Sequence, residues 1–183
     1  MIVNKEVIQK QDEYLDYINQ HIKNVYKAFT EYDKIISHIL KYDSFDLCTR
    51  VVNHDKSKFN DVEFFPYRRK YYPTLAEKLD SNNPEAEKAY NCAWIHHYTN
   101  NDHHPEYWVD RNNNPTTMPD IAIAEMILDW IATGWTNNNT AYSYYSLEGK
   151  NKPLNEYTRA KVVKVLNALM LYDSKNNNSV TNI

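Results

Sequence analysis

"EYLDYINQHIKNVYKAF", residues 13–29, decides the fold class. Leu15, Ile18, Ile22, Val25 and Phe29 recur at three- and four-residue steps, which is one face of an α-helix. His21 falls on the same stripe, three residues after Ile18 and four before Val25. The same period extends in both directions from here. "DKIISHIL" (33–40) reads as a second helical piece, with His38 near its apolar side as a structural residue. "DSFDLCTRVVNHD" (43–55) offers Asp43 or Ser44 as an N-cap, with Leu47, Val51 and His54 facing inward. Asp55, four residues after Val51, shares that side.

Further along, "PEAEKAYNCAWIHHYTNNDHH" (84–104) begins with a proline suited to a first helical turn. Tyr90, Ala93, Trp94 and His97 form its stripe, and Pro105 ends the run. "PDIAIAEMILDWIATGW" (119–135) is the most apolar helix in the chain. A final amphipathic helix spans about residues 155–172, and "SKNNNSVTNI" (174–183) has the composition of a disordered tail. "FNDVEFFPYRRKYYPTL" (59–75) is less regular, broken by Pro66 and Pro73, while "DRNNNPTTMP" (110–119) reads as a turn or loop and "TNNNTAYSYYSLEGKNKP" (136–153) as a loop. No strand pattern and no internal repeat occurs. The expectation is all-α: one compact helical bundle over residues 1–172, with a disordered tail over 173–183.

Composition narrows the function classes. A net charge of -3 offers no basic field for non-specific nucleic-acid binding. Two cysteines without a C-x-x-C pair, Cys48 and Cys92, argue against a disulfide framework or zinc ribbon and read as small buried residues. With 2 glycines, the chain carries neither a Walker A loop nor a G-x-G-x-x-G turn. The amino terminus lacks the apolar core of a signal peptide, and no run approaches the ~20 apolar residues of a membrane span. A soluble, cytoplasmic protein is expected; its oligomeric state is open, and a homodimer is compatible.

Candidate chemistry lies in the charged residues on buried faces. Glu125 and Asp129 stand four apart on the apolar 119–135 helix, stacked on one side. Like charges there repel, and burial worsens the cost. Asp55 faces the same difficulty behind Val51 and Val52. A metal ion relieves both, and His21, His54, Asp55 and Asp129 on different helices supply a mixed imidazole and carboxylate set. That set suits a divalent transition metal: manganese, zinc, iron, nickel or cobalt. His96, His97, His103 and His104 are a second histidine group. If the helix persists, His97 and His104 share a face two turns apart, so these two are favoured as ligands to the first ion or to a second.

An early H, then H-D, then a distant D on helices resembles the HD-domain metal-dependent phosphohydrolases. "HIKNVYKAF" (21–29) is similar to the first helix of that fold, "VVNHDKSKF" (51–59) to its H-D-x-x-K element, and "AEMILDW" (124–130) to the helix supplying the last acid. "IHHYTNNDHHPEYW" (95–108) is similar to the extra histidines of two-metal members. More narrowly, the chain looks like an uncharacterised HD-like family of bacterial and phage proteins. The resemblance covers residues 12–135 and departs from the common pattern at Lys56 and Ser57. Its last acid is Asp129 or Glu125.

The resemblance implies hydrolysis of a phosphoester, usually in a nucleotide, by water activated on one or two metal ions. Asp55 would then serve the metal and the reaction, and Glu125 would be a base or the partner of a liganding imidazole. Lys58 would stabilise the phosphoryl oxygens, with Arg68 and Arg69 (and beside them Lys70) as further substrate contacts. Two other readings stay open: an HD-like di-iron oxygenase, and a non-catalytic module that binds a nucleotide or a metal.

Overall fold

The structure, a computed structural model, describes residues 5–180 and the side chains of residues 5–176. Among the described residues all regular structure is helical. Eight α-helices run Lys5–Ser37 (α1), Ser44–Val52 (α2), Asp61–Tyr71 (α3), Leu75–Leu79 (α4), Pro84–Asn100 (α5), Asp120–Thr136 (α6), Ala141–Leu147 (α7) and Glu156–Val180 (α8). Short 3-10 turns cover Lys56–Phe59, Pro105–Trp108 and Gly149–Asn151. Extended pairing is limited to one isolated bridge between Val109 and Pro115. Among these residues no helix is long and apolar enough to cross a membrane. The all-α expectation holds.

Two compact units emerge: Met1–Lys23 with Asn53–Asn101, and Asn24–Val52 with Asp102–Ile183. In the first, α3 packs on α5, and the core is Tyr14, Ile18, Phe64, Tyr67 and Ala93, flanked by Leu15, Tyr17, Ile22, Tyr72 and Tyr90. The core is aromatic: the Tyr14 and Phe64 rings lie 5.2 Å apart and tilted, a favourable arrangement for two quadrupoles. In the second unit α6 packs against α2, α7 and α8. Ala122, Ile123, Met126, Ile127 and Leu128 of α6 are all fully or almost fully buried there, as an all-round apolar helix must be.

Several elements differ from the sequence expectation, each for a local reason. The α1 stripe is centred on Tyr14, Ile18, His21, Val25, Ala28, Tyr32 and Ile36, one position away from Leu15, Ile22 and Phe29, which are half-buried. "DKIIS" continues α1 rather than starting a new helix. Asp43 is the cap of α2: its Oδ1 accepts from the backbone N–H of Phe45 and Asp46 at 2.8 and 3.1 Å. Residues 61–71, expected to be irregular, form α3 straight through Pro66. Proline removes one helical hydrogen bond, and burial of Phe64, Tyr67 and Arg68 on either side of it offsets the loss.

The expected 136–153 loop contains α7, capped by Thr140, whose hydroxyl accepts from Ser143 N–H at 3.1 Å. Tyr144 and Tyr145 of α7 lie against Trp130, with ring centroids 5.2 and 6.1 Å away. α8 runs to Val180, past the Tyr172 at which the helical period fades. Tyr32 Oη donates to Asp173 at 3.0 Å, one contact that holds the continuation. Residues 181–183 of the expected disordered tail lie outside the described residues. Neither cysteine is deeply buried as expected; both are free thiols, Cys48 half-buried and Cys92 exposed.

Candidate metal centre

In the first unit the chain after α2 leaves helical geometry before the H-D pair. α2 ends at Val52, so His54 and Asp55 sit in a turn, not on the inward face of a helix. Asp55 adopts a left-handed backbone (φ 54°) and opens the 3-10 turn Lys56–Phe59. A non-glycine residue in that region is uncommon and costs of order 1 kcal/mol; aspartate and asparagine tolerate it best. The strained turn sends His54 and Asp55 inward together, 1 % and 2 % exposed.

Three imidazoles meet the buried carboxylate. His54 Nε2 lies 3.5 Å and His21 Nε2 3.8 Å from Asp55 Oδ2. His97 Nε2 lies 3.4 Å from the other oxygen, Oδ1. His21 comes from α1 and His97 from the last full turn of α5, both almost wholly buried. Ligand atoms of His21, His54 and Asp55 lie within 4.8 Å of one another. A first-row divalent ion bonds imidazole and carboxylate at about 2.0–2.2 Å, which sets neighbouring donors roughly 3–3.5 Å apart. The observed spacings are close to that, and the donor types fit. These buried histidine and aspartate groups can hold a metal ion. Lys58 Nζ donates to Asp55 Oδ2 at 2.6 Å and supplies one positive charge to the carboxylate.

Glu63, which carried no signal in the sequence, organises the far side of His97. It is fully buried on α3. Its Oε2 accepts from His97 Nδ1 at 2.8 Å and from Ser57 Oγ at 3.0 Å, and its Oε1 from His96 Nδ1 at 2.6 Å. Burial pushes the Glu63 carboxyl up, but the hydrogen bonds from His97 and His96 outweigh it and hold the group below the usual range. An ionised carboxylate on Nδ1 keeps the proton there and turns the Nε2 lone pair toward Asp55, the arrangement typical of liganding histidines. In "DVEFFPY" (61–67) Glu63 stands next to Phe64, but Asp61 is an acid two residues before it, so nothing in the spacing singles Glu63 out.

The remaining expected site residues have other partners or belong to the second unit. α5 stops at Asn100, so the shared helical face of His97 and His104 does not exist. In the second unit His103, not His104, is the buried histidine at 2 % exposure; His104 is half-buried, its ring 4.3 Å from that of His103. Glu125 is buried but ion-paired: its Oε2 accepts from Arg50 Nε at 2.6 Å, and its Oε1 lies 3.5 Å from His103 Nδ1. Arg50 also pairs with Asp102. Of the two roles expected of Glu125, a base or the partner of an imidazole, that environment suits the partner, here of His103. Asp129 is half-buried, with Oδ1 accepting from Thr133 Oγ1 at 3.3 Å. One ligand atom each of His103 and Asp129 lie within 4.8 Å of one another, so the second unit presents donors of its own.

The expected substrate arginines are taken up inside the first unit. Arg68, 6 % exposed, grips Glu77 through both terminal nitrogens at 2.5 and 2.7 Å. Glu77 closes the capping box of α4 with Thr74. Arg69 pairs with Asp80 at 2.9 Å, and Lys70 lies over the Tyr90 ring. His38, expected near an apolar side, is exposed just beyond the end of α1, its Nδ1 2.8 Å from the Lys34 carbonyl.

The family of unknown function DUF5662 matches residues 10–168, nearly the whole chain, and the chain belongs to that family. No curated protein and no solved structure matches it.

Proposed function

We propose that this DUF5662 chain is a metal-dependent phosphohydrolase acting on a nucleotide or a related phosphoester. The observation that carries the reading is the convergence of His21, His54 and His97 on the buried, lysine-paired carboxylate of Asp55. The H…H-D-x-x-K resemblance to HD-domain enzymes supports it from the sequence side. A bound divalent ion would supply a water acidic enough to be hydroxide near neutral pH and would polarise a phosphoryl oxygen.

The chain's own residues do the rest. His21, His54 and Asp55 hold the ion, and His97, at the other Asp55 oxygen, is a further ligand. Glu63 holds the Nδ1 proton of His97 and so keeps its Nε2 directed at Asp55 Oδ1. Lys58, whose ammonium already stands at Asp55, neutralises charge on the phosphoryl oxygens, the main electrostatic task in such a transfer. Arg68 and Arg69 have no part in this reading, because both are spent on intrachain pairs.

The test is phosphate release from a panel of nucleotides by protein loaded in turn with manganese, zinc, iron, nickel and cobalt. The informative variant is Asp55→Asn: asparagine tolerates the left-handed backbone, so the turn survives while the charge is lost. Turnover that needs a metal and disappears in this variant supports the reading. Oxygen uptake by the iron-loaded protein would assign an oxygenase instead, and tight nucleotide binding without conversion a binding module.

A further inference from the structure

The ion pair at the bottom of the proposed centre implies an order of events. Lys58 is three residues beyond Asp55, and its backbone N–H donates to the Asp55 carbonyl at 2.9 Å, so the 3-10 turn fixes both α-carbons. Its Nζ reaches the same oxygen, Oδ2, that faces His21 and His54. Its side chain is 16 % exposed against 3 % for Asp55, so the stem runs outward from the carboxylate. Two cations cannot share one carboxylate oxygen at close range without strong repulsion. The flexible one moves.

We propose that Lys58 is a cation place-holder: a divalent ion entering at Asp55 displaces its ammonium, which then becomes the binding group for a phosphate-type anion. The ion therefore creates the anion subsite. By linkage the two ligands bind with positive and reciprocal coupling. This rests on the metal reading above and deepens it.

The experiment uses the full chain stripped with a chelator, titrated calorimetrically with manganese or zinc, and then with inorganic phosphate in the presence and absence of the ion. In Lys58→Gln the ion has no ammonium to displace, so its affinity rises about tenfold or more, the worth of one charge-assisted hydrogen bond. The gain in phosphate affinity on metal loading falls by a similar factor. Lys58→Arg keeps a cation at Asp55 and stays near wild-type in metal affinity, which separates exchange from a general disturbance of the turn. Equal or weaker metal binding by Lys58→Gln overturns the exchange while leaving the metal centre standing. So does phosphate that binds the wild type equally with and without the ion. Wild-type protein that takes up no ion at all overturns the metal reading and the exchange together.

Discussion

Glu63 gives the sharpest test of how the centre is built. Replacing it by leucine keeps roughly the side-chain volume and removes every acceptor. His97 Nδ1 is then left with Ser57 Oγ and Asn101 Nδ2, each 3.3 Å away, and the amide nitrogen can only donate. The imidazole satisfies them by moving its proton to Nε2, 3.4 Å from Asp55 Oδ1, where it donates to the carboxylate and ceases to be a ligand. Loss of such an orienting carboxylate typically weakens metal binding by about 10–100-fold, or about 1.4–2.7 kcal/mol. Stability falls less than three lost hydrogen bonds suggest, because the variant no longer buries a charge. The net is about 1–3 kcal/mol. Metal titration measures the first effect, urea unfolding of the stripped protein the second, and heteronuclear NMR of the imidazole nitrogens the tautomer. A folded Glu63→Leu protein with unchanged metal affinity and the proton still on His97 Nδ1 would refute the reasoning.

Two further expectations concern the scaffold. The Arg68 guanidinium holds the Glu77 carboxyl at about 2, against an ordinary 4.5, so the pair's stabilisation is complete above the unfolded value and disappears as pH falls from 4.5 toward 2. Glu77 is partly solvated, which limits the effect to about 1–2 kcal/mol, and acid unfolding curves of Arg68→Met should lack that component. Gly134→Ala would ordinarily stabilise a helix. Here the new Cβ would stand 2.7 Å from the Asn139 carbonyl oxygen, in a backbone held by the Asn139 N–H to Gly134 carbonyl bond, so a loss of about 1–3 kcal/mol in thermal unfolding is expected.

Much of the helical content follows from short-range periodicity. The stripe through Ile18, His21 and Val25 and the nearly all-apolar run of α6 are local facts, because side-chain placement on a helix depends only on residue spacing. The adjacency of His54 and Asp55, and the cost of burying that acid, are likewise legible in "VVNHD". Periodicity stops being informative where helices end. It carried His97 into register with His104, whereas α5 terminates at Asn100, and beyond its end His103 rather than His104 is the buried histidine. Arg68 and Arg69, substrate contacts in the reading that the resemblance implies, have partners that short-range spacing does not show, because Glu77 and Asp80 are nine and eleven residues further along the chain. Glu63 is the clearest case. Only the packing of α3 on α5 sets its carboxylate between His96 and His97, more than thirty residues away, and no local pattern encodes a contact made by burial between separate helices.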